Sequence, residues 1–176
     1  MKIFIAGARS ITIIDNFVIN KLRSIYDKGF DVLVGDCYGI DTVVQSYFAD
    51  HAYSNVTVYA SNGRARNNVG RWPVKNIPVV SATRGFEFFR QKDIAMANDA
   101  DMGFMIWDGK SRGTLCNILT LAEQGKMVLV YLQKDMLRVT IRSLADAQKL
   151  IPMCDSDAGR VIQAKVVATA EQITMF

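Results

Sequence analysis

Three short segments of this 176-residue chain combine glycine with hydroxyl and charged side chains, and each follows an apolar run. They are Gly7-Ala8-Arg9-Ser10-Ile11-Thr12, Gly35-Asp36-Cys37-Tyr38-Gly39-Ile40-Asp41 and Asp108-Gly109-Lys110-Ser111-Arg112-Gly113-Thr114. Glycine admits positive φ and lets an oxyanion approach the backbone, while a helix that follows offers unpaired N–H groups and a partial positive charge. These are the residue types of a phosphate site. The ligand-binding candidates are Gly7, Ala8, Arg9, Ser10 and Thr12, then Gly35 and Gly39, then Gly109, Lys110, Ser111, Gly113 and Thr114, with amides near Gly7 and Gly113 expected to converge on one anion. Any one segment alone reads equally well as a tight turn. The third lacks the Gly-x-x-x-x-Gly-Lys-Ser/Thr order of a P-loop and the first lacks the full Gly-x-Gly-x-x-Gly, which argues against triphosphate hydrolysis and against a standard nicotinamide dehydrogenase.

Two carboxylates in these segments, Asp36 and Asp108, are the catalytic candidates. A negative charge beside an oxocarbenium-like transition state would favour cleavage or transfer of an N-glycosidic bond. Asp41 reads as a helix cap, and Asp93 as the partner of Arg90 one turn away. His51, beside Asp50, reads as a solvated surface residue. Cys37, Cys116 and Cys154 are scattered, odd in number and without Cys-x-x-Cys spacing, so neither a disulfide framework nor a zinc site is indicated; no metal set and no cofactor are expected.

The formal net charge of +4 is unevenly spread. Residues 64 to 92 hold Arg64, Arg66, Arg71, Lys75, Arg84, Arg90 and Lys92 against one acid, Glu87. That stretch suits phosphate, and with Trp72 to stack a base it makes nucleic acid an alternative partner to a free nucleotide or sugar phosphate. The plainer reading pairs Arg71 and Arg84 with acids elsewhere and packs Trp72-Pro73 on the body of the protein. No apolar run reaches the roughly 18 residues of a membrane span, and the opening Met-Lys-Ile-Phe-Ile-Ala-Gly is too short for a secretory core, so no membrane partner and a cytoplasmic location are expected.

The elements that must position these loops alternate. Strands are predicted at Lys2–Ala6, Asp31–Val34, Val56–Ala60, Met102–Trp107 and Met127–Leu132, and helices at about 14–28, 41–50, 86–98, 112–124 and 143–150. Residues 61 to 84 read as a long loop, divided if Val79-Val80 form a short strand, and Val161–Val167 has the β-branched content of another strand. This alternation predicts an α/β, three-layer Rossmann-like domain with a mostly parallel sheet in the order 3-2-1-4-5, as one domain over 1–176 with its core in about 2–132 and an extension over 133–176. Winding then reverses between the first and fourth strands, and ligands in such sheets bind beyond the strand ends at that reversal. The first and third glycine segments lie there.

Val34-Gly35-Asp36-Cys37-Tyr38-Gly39-Ile40-Asp41 resembles the Gly-x-Ala-x-Gly-Ile/Ala-Asp motif of the SLOG superfamily, which includes the DNA-processing protein Smf/DprA and the Lonely Guy phosphoribohydrolases. Gly109 to Thr114 is similar to its Pro-Gly-Gly-x-Gly-Thr phosphate loop, and the helix carrying Arg90, Lys92 and Met96 sits where these proteins have an arginine-bearing helix. More narrowly, the chain is similar to a bacterial branch with Arg-Asn-Asn-x-Gly-x-Trp-Pro, here Arg66 to Pro73, and Trp-Asp-Gly-Lys-Ser-x-Gly-Thr, here Trp107 to Thr114. The resemblance implies a nucleotide or ribose-phosphate ligand, a part for Arg90 in holding it, and a homo-oligomer, for which Ile118, Leu119 and Leu121 offer a face that burial in the core would also use. It departs where Lonely Guy enzymes place glutamates after Gly-Thr, since Leu115, Cys116 and Asn117 follow here. The acid that the nucleoside 2-deoxyribosyltransferases carry after their Gly-Thr is missing as well.

Overall fold

Strand β1, Lys2–Gly7, shows how the sheet is built: its inner residues are all buried, and alternate side chains enter two different cores. Ile3 and Ile5 join one hydrophobic cluster while Phe4 and Ala6 join the other, as a strand covered on both faces requires. The computed structural model describes residues 1–80 and 83–174, so positions 81 and 82 of the predicted long loop lie outside the described residues. After β1 come α1 (Asn16–Asp27), β2 (Asp31–Gly35), α2 (Ile40–Asp50), β3 (Val56–Ser61), β4 (Val74–Ile77), α3 (Gly85–Asp99), β5 (Met102–Trp107), α4 (Arg112–Glu123), β6 (Met127–Leu132), β7 (Leu137–Ile141) and α5 (Ser156–Thr174). Short 3₁₀ segments cover Gln133–Asp135 and Ala145–Met153.

Among the described residues the sheet has seven strands in the order β4-β3-β2-β1-β5-β6-β7, parallel throughout except for the β6–β7 pair. Its five middle strands are those expected, in the expected order, and the fold is Rossmann-like α/β. Helices α1 and α2 cover the face of Ile3, Val34 and Phe104, while α3, α4, the 3₁₀ segment and α5 cover the face of Phe4, Leu33 and Met105. From β1 the chain winds outward through β2 and β3 to β4, then returns through α3 to β5 on the other side of β1. That reversal sets the loops after β1 and β5 side by side.

Three expectations are corrected. The extra strand within 61–84 is Val74–Ile77 rather than Val79-Val80; as an exposed edge strand carrying Lys75 and Asn76 it has no apolar alternation to reveal it. Val161–Val167 lies inside helix α5, whose Ala158, Ile162 and Val166 recur every four residues and pack on the core. Strand β7 was not foreseen; it buries Val139 and Ile141 antiparallel to β6. Ile118, Leu119 and Leu121 are core residues, which removes them as an oligomer face. Among the described residues no helix is long and apolar enough to cross a membrane.

Candidate functional site

Beyond the ends of β1 and β5 lies a cavity of about 340 Å³. Gly7, Arg9 and Ser10 of the first loop and Asp108, Ser111, Gly113 and Thr114 of the third line it together, so the two segments meet as the reversal requires. The Ser10 hydroxyl donates to Asp108 at 2.8 Å, tying one loop to the other. The other Asp108 oxygen accepts from the amides of Lys110 at 3.0 Å and Ser111 at 2.7 Å, which folds the third loop around its carboxylate. Partial burial alone would raise the Asp108 pKa, but these amides and the Ser10 hydroxyl outweigh it and hold it below the ordinary value.

Helix α4 starts at this loop. Ser111 caps it, its hydroxyl oxygen accepting from the amide of Thr114 at 3.5 Å and from the Thr114 hydroxyl at 3.0 Å. The convergence of amides is partly realised. Ala8 gives its N–H to Ile106 at 3.0 Å, while among the described residues no acceptor meets the amides of Arg9, Ser10, Arg112 and Gly113. A Cβ added at Gly113 would meet nothing within 4 Å, so that amide borders open space.

The second loop forms the floor rather than a phosphate cradle. Asp36 is buried and does not line the cavity, contrary to a place beside the ligand. Arg66 grips it through Nη2 at 2.7 Å, Nε at 3.0 Å and its own backbone N–H at 3.1 Å. Burial would raise the Asp36 pKa, but Arg66 and the charge of Lys92 lower it overall. Asp41 is not the cap of α2, since Gly39 occupies that position; it is buried in the first turn and accepts from the Cys37 amide at 3.1 Å. Burial pushes its carboxyl up to about 6, Asp93 and Asp36 adding to the rise while Lys92 and the Cys37 amide oppose it. Lys92 is only 4% exposed, with Nζ 2.7 Å from Asp93 and 3.9 Å from Asp36. Desolvation works against its charge, yet the surrounding carboxylates raise its pKa, so the ammonium persists as the centre of the cluster.

Several predicted site residues serve packing instead. A Cβ at Gly35 would lie 2.3 Å from the Asp41 carboxylate, and one at Gly39, where φ is +77°, 2.5 Å from the Arg9 backbone. Gly109, at φ +76°, closes on Met153 and Cys154 of the C-terminal segment, and Ala8 is buried. Lys110 and Thr12 are exposed outside the cavity lining. Arg90 does not reach the cavity; it bridges α3 to α4 through Thr120 at 2.5 Å and Asn117 at 3.4 Å. Asp93 therefore pairs with Lys92 rather than Arg90. Trp72 is 8% exposed and donates from Nε1 to the Tyr53 carbonyl at 2.7 Å, so it packs the long loop on the body and is closed to base stacking.

Residues outside the predicted ligand-binding set complete the walls. Phe86, Phe89, Asp93 and Met96 come from one face of α3 and recur at three- and four-residue steps, a signal that names a helix face without naming its neighbour. The guanidinium of Arg112 stacks on Phe86 and that of Arg66 on Phe89, each 4.3 Å from the ring centre. Among the described residues neither Arg9 nor Arg112 has a carboxylate partner.

No protein-family model matches the sequence, and no curated protein matches it. A solved structure of DNA processing protein A from Helicobacter pylori, described by its single-stranded DNA binding mode, aligns over 96% of this chain and 81% of its own, with a TM-score of 0.59 and 12% identity. At that identity the likeness is one of fold.

Proposed function

We propose that this chain is a nucleic-acid-binding member of the SLOG group, and that the cavity holds one nucleotide of a single strand by its phosphate without chemical turnover. The observation that carries this reading is the pairing of charges around the cavity. Asp36 and Asp108, the carboxylates offered for glycosidic chemistry, are occupied by Arg66, by backbone amides and by Ser10. Among the described residues the facing cations Arg9 and Arg112 have no carboxylate partner, and the amides of Arg112 and Gly113 meet no acceptor. Such a site attracts an anion, and the two carboxylates offered for glycosidic chemistry are both engaged by the protein's own donors. The guanidinium faces stacked on Phe86 and Phe89, and Tyr38 at 69% exposure, supply flat surfaces for a base. The fold neighbour's described binding of single-stranded DNA supports the choice of a strand over a free nucleotide.

Fluorescence anisotropy with a labelled oligonucleotide tests it. Arg9→Ala and Arg112→Ala are each expected to weaken binding by about tenfold or more, the loss of one charge-assisted hydrogen bond to phosphate, and to flatten the salt dependence. Unchanged affinity in both variants, or release of free base from nucleoside monophosphates by the wild type, would refute the reading.

A further inference from the structure

A second groove, of about 610 Å³, lies beside β4 and is lined by Arg64, Ala65, Arg66, Asn68, Arg71 and Val74. Three of these six are arginines and none is an acid. Arg66 lines this groove and the cavity alike, so the two adjoin at one side chain. Three other cations of the basic stretch are engaged: Lys75 with Asp99 at 2.5 Å, Lys92 with Asp93, and Arg90 with Thr120 and Asn117. Arg64 and Arg71 are exposed and, among the described residues, have no acidic partner.

The segment that carries them is held firmly despite its lack of regular structure. Fully buried Gln45 accepts from the Val69 amide at 2.9 Å and donates to the Gly35 carbonyl at 2.8 Å. Asn67 donates to the Asp36 carbonyl at 3.1 Å, and Asn68 exchanges two hydrogen bonds with the Trp72 backbone at 2.8 and 3.0 Å. Arg71 sits at φ +55°, a conformation that costs a non-glycine residue free energy and that glycine would adopt freely. An arginine at a strained position, on a pinned loop, beside a groove without acids, is explained by an anion outside the protein.

We propose that a nucleic-acid strand leaving the cavity crosses Arg66 and continues in this groove, where Arg64 and Arg71 hold the sugar–phosphate backbone of its next nucleotides. The inference rests on the cavity reading above. It adds a direction for the strand and a second phosphate subsite. The occupant is a single strand, because the path starts at a cavity that takes one nucleotide, and a base held in a duplex would have to leave its pair to enter it.

The test compares a labelled mononucleotide with a strand of about 12 nucleotides in the wild type, in Arg64→Gln/Arg71→Gln, and in Arg64→Gln/Arg71→Gly, whose glycine relieves the backbone and guards against misfolding. The wild type is expected to bind the longer strand roughly tenfold tighter. Both double variants are expected to lose that advantage, to leave mononucleotide affinity unchanged, and to lower the log–log salt slope for the longer strand by about 1.4, at about 0.7 per phosphate contact. Arg112→Ala, by contrast, should weaken both lengths. Equal wild-type affinity for the two lengths, double variants that match the wild type, or duplex DNA that competes as well as the single strand would each overturn the groove while leaving the cavity reading intact. Failure of the wild type to bind either the mononucleotide or the longer strand would overturn both.

Discussion

Replacing Asp41 by asparagine isolates the electrostatics of the cavity floor. The Asp41 carboxyl is buried and pushed up to about 6 from an ordinary 3.8, chiefly by desolvation. An acid whose folded pKa lies above its unfolded one takes up protons first in the folded chain. Its contribution to stability is therefore full below about pH 4 and is lost as pH rises through about 6. A difference of about 2 pH units corresponds to about 3 kcal/mol, at about 1.4 kcal/mol per unit. Asparagine keeps the shape against Gly35 and an acceptor for the Cys37 amide, but it cannot ionise. Asp41→Asn is expected to be more stable than the wild type by up to about 3 kcal/mol at about pH 8, by roughly half that near pH 5, and by nothing at about pH 3. Urea midpoints at the three pH values, with unchanged slopes, read the difference directly. A difference of the same size at pH 3 and pH 8 would refute the argument. So would a wild type more stable at pH 8, because the Lys92 ammonium would then more than repay the burial of the Asp41 charge.

Two further substitutions test the packing around the site. Gly7→Ala would place its Cβ 2.3 Å from the Ile106 carbonyl oxygen and 2.6 Å from the Ile40 side chain; since backbone cannot yield there, a loss of about 3 kcal/mol is expected, and a melting temperature equal to the wild type's would show that α2 does not close on β1 as described. Asp36→Ala leaves Arg66 and Lys92 without their shared acceptor and frees the 64–69 segment. With Arg66 a third exposed, about 2 kcal/mol is expected, at the low end for a broken buried pair, and denaturation that reveals under about 0.5 kcal/mol would remove Asp36 as the anchor of that loop.

The parts of the fold legible in the sequence were those whose signal is local and apolar. Strands β1, β2, β3, β5 and β6 are runs buried on both faces, and the helices between them carry apolar stripes, so their order followed from the rule that parallel neighbours need right-handed crossovers. Strand β4 escaped because its partner surface is backbone: Val58↔Val74 to Ser61↔Ile77 pair through hydrogen bonds while most of its side chains face water. Helix α5 was mistaken for strand because valine and isoleucine dominate Val161–Val167, although the four-residue step of Ala158, Ile162 and Val166 was present. At the site, the first and third loops were placed by topology alone. What sequence could not show is which charges pair across space: Asp36 with Arg66 are thirty residues apart, and Ser10 with Asp108 ninety-eight.

That pairing also underlies the proposal that a cavity floored with acids takes an anion. Asp108 draws the Lys110 and Ser111 amides inward, Asp41 draws that of Cys37, and Asp36 draws that of Arg66. Each carboxylate is an acceptor around which a loop folds, and for Asp36 and Asp108 the donors gathered outweigh the cost of burial. Lys92 and Arg66 are consumed in the same way. The donors left over are Arg9, Arg112 and the first amides of α4, and in a partly dry cleft their field is felt more strongly than in water. A neutral nucleoside would leave these donors unmatched, whereas a phosphate satisfies them; affinity should therefore follow the phosphate, and removing it from a mononucleotide should abolish binding even where the base and ribose are kept.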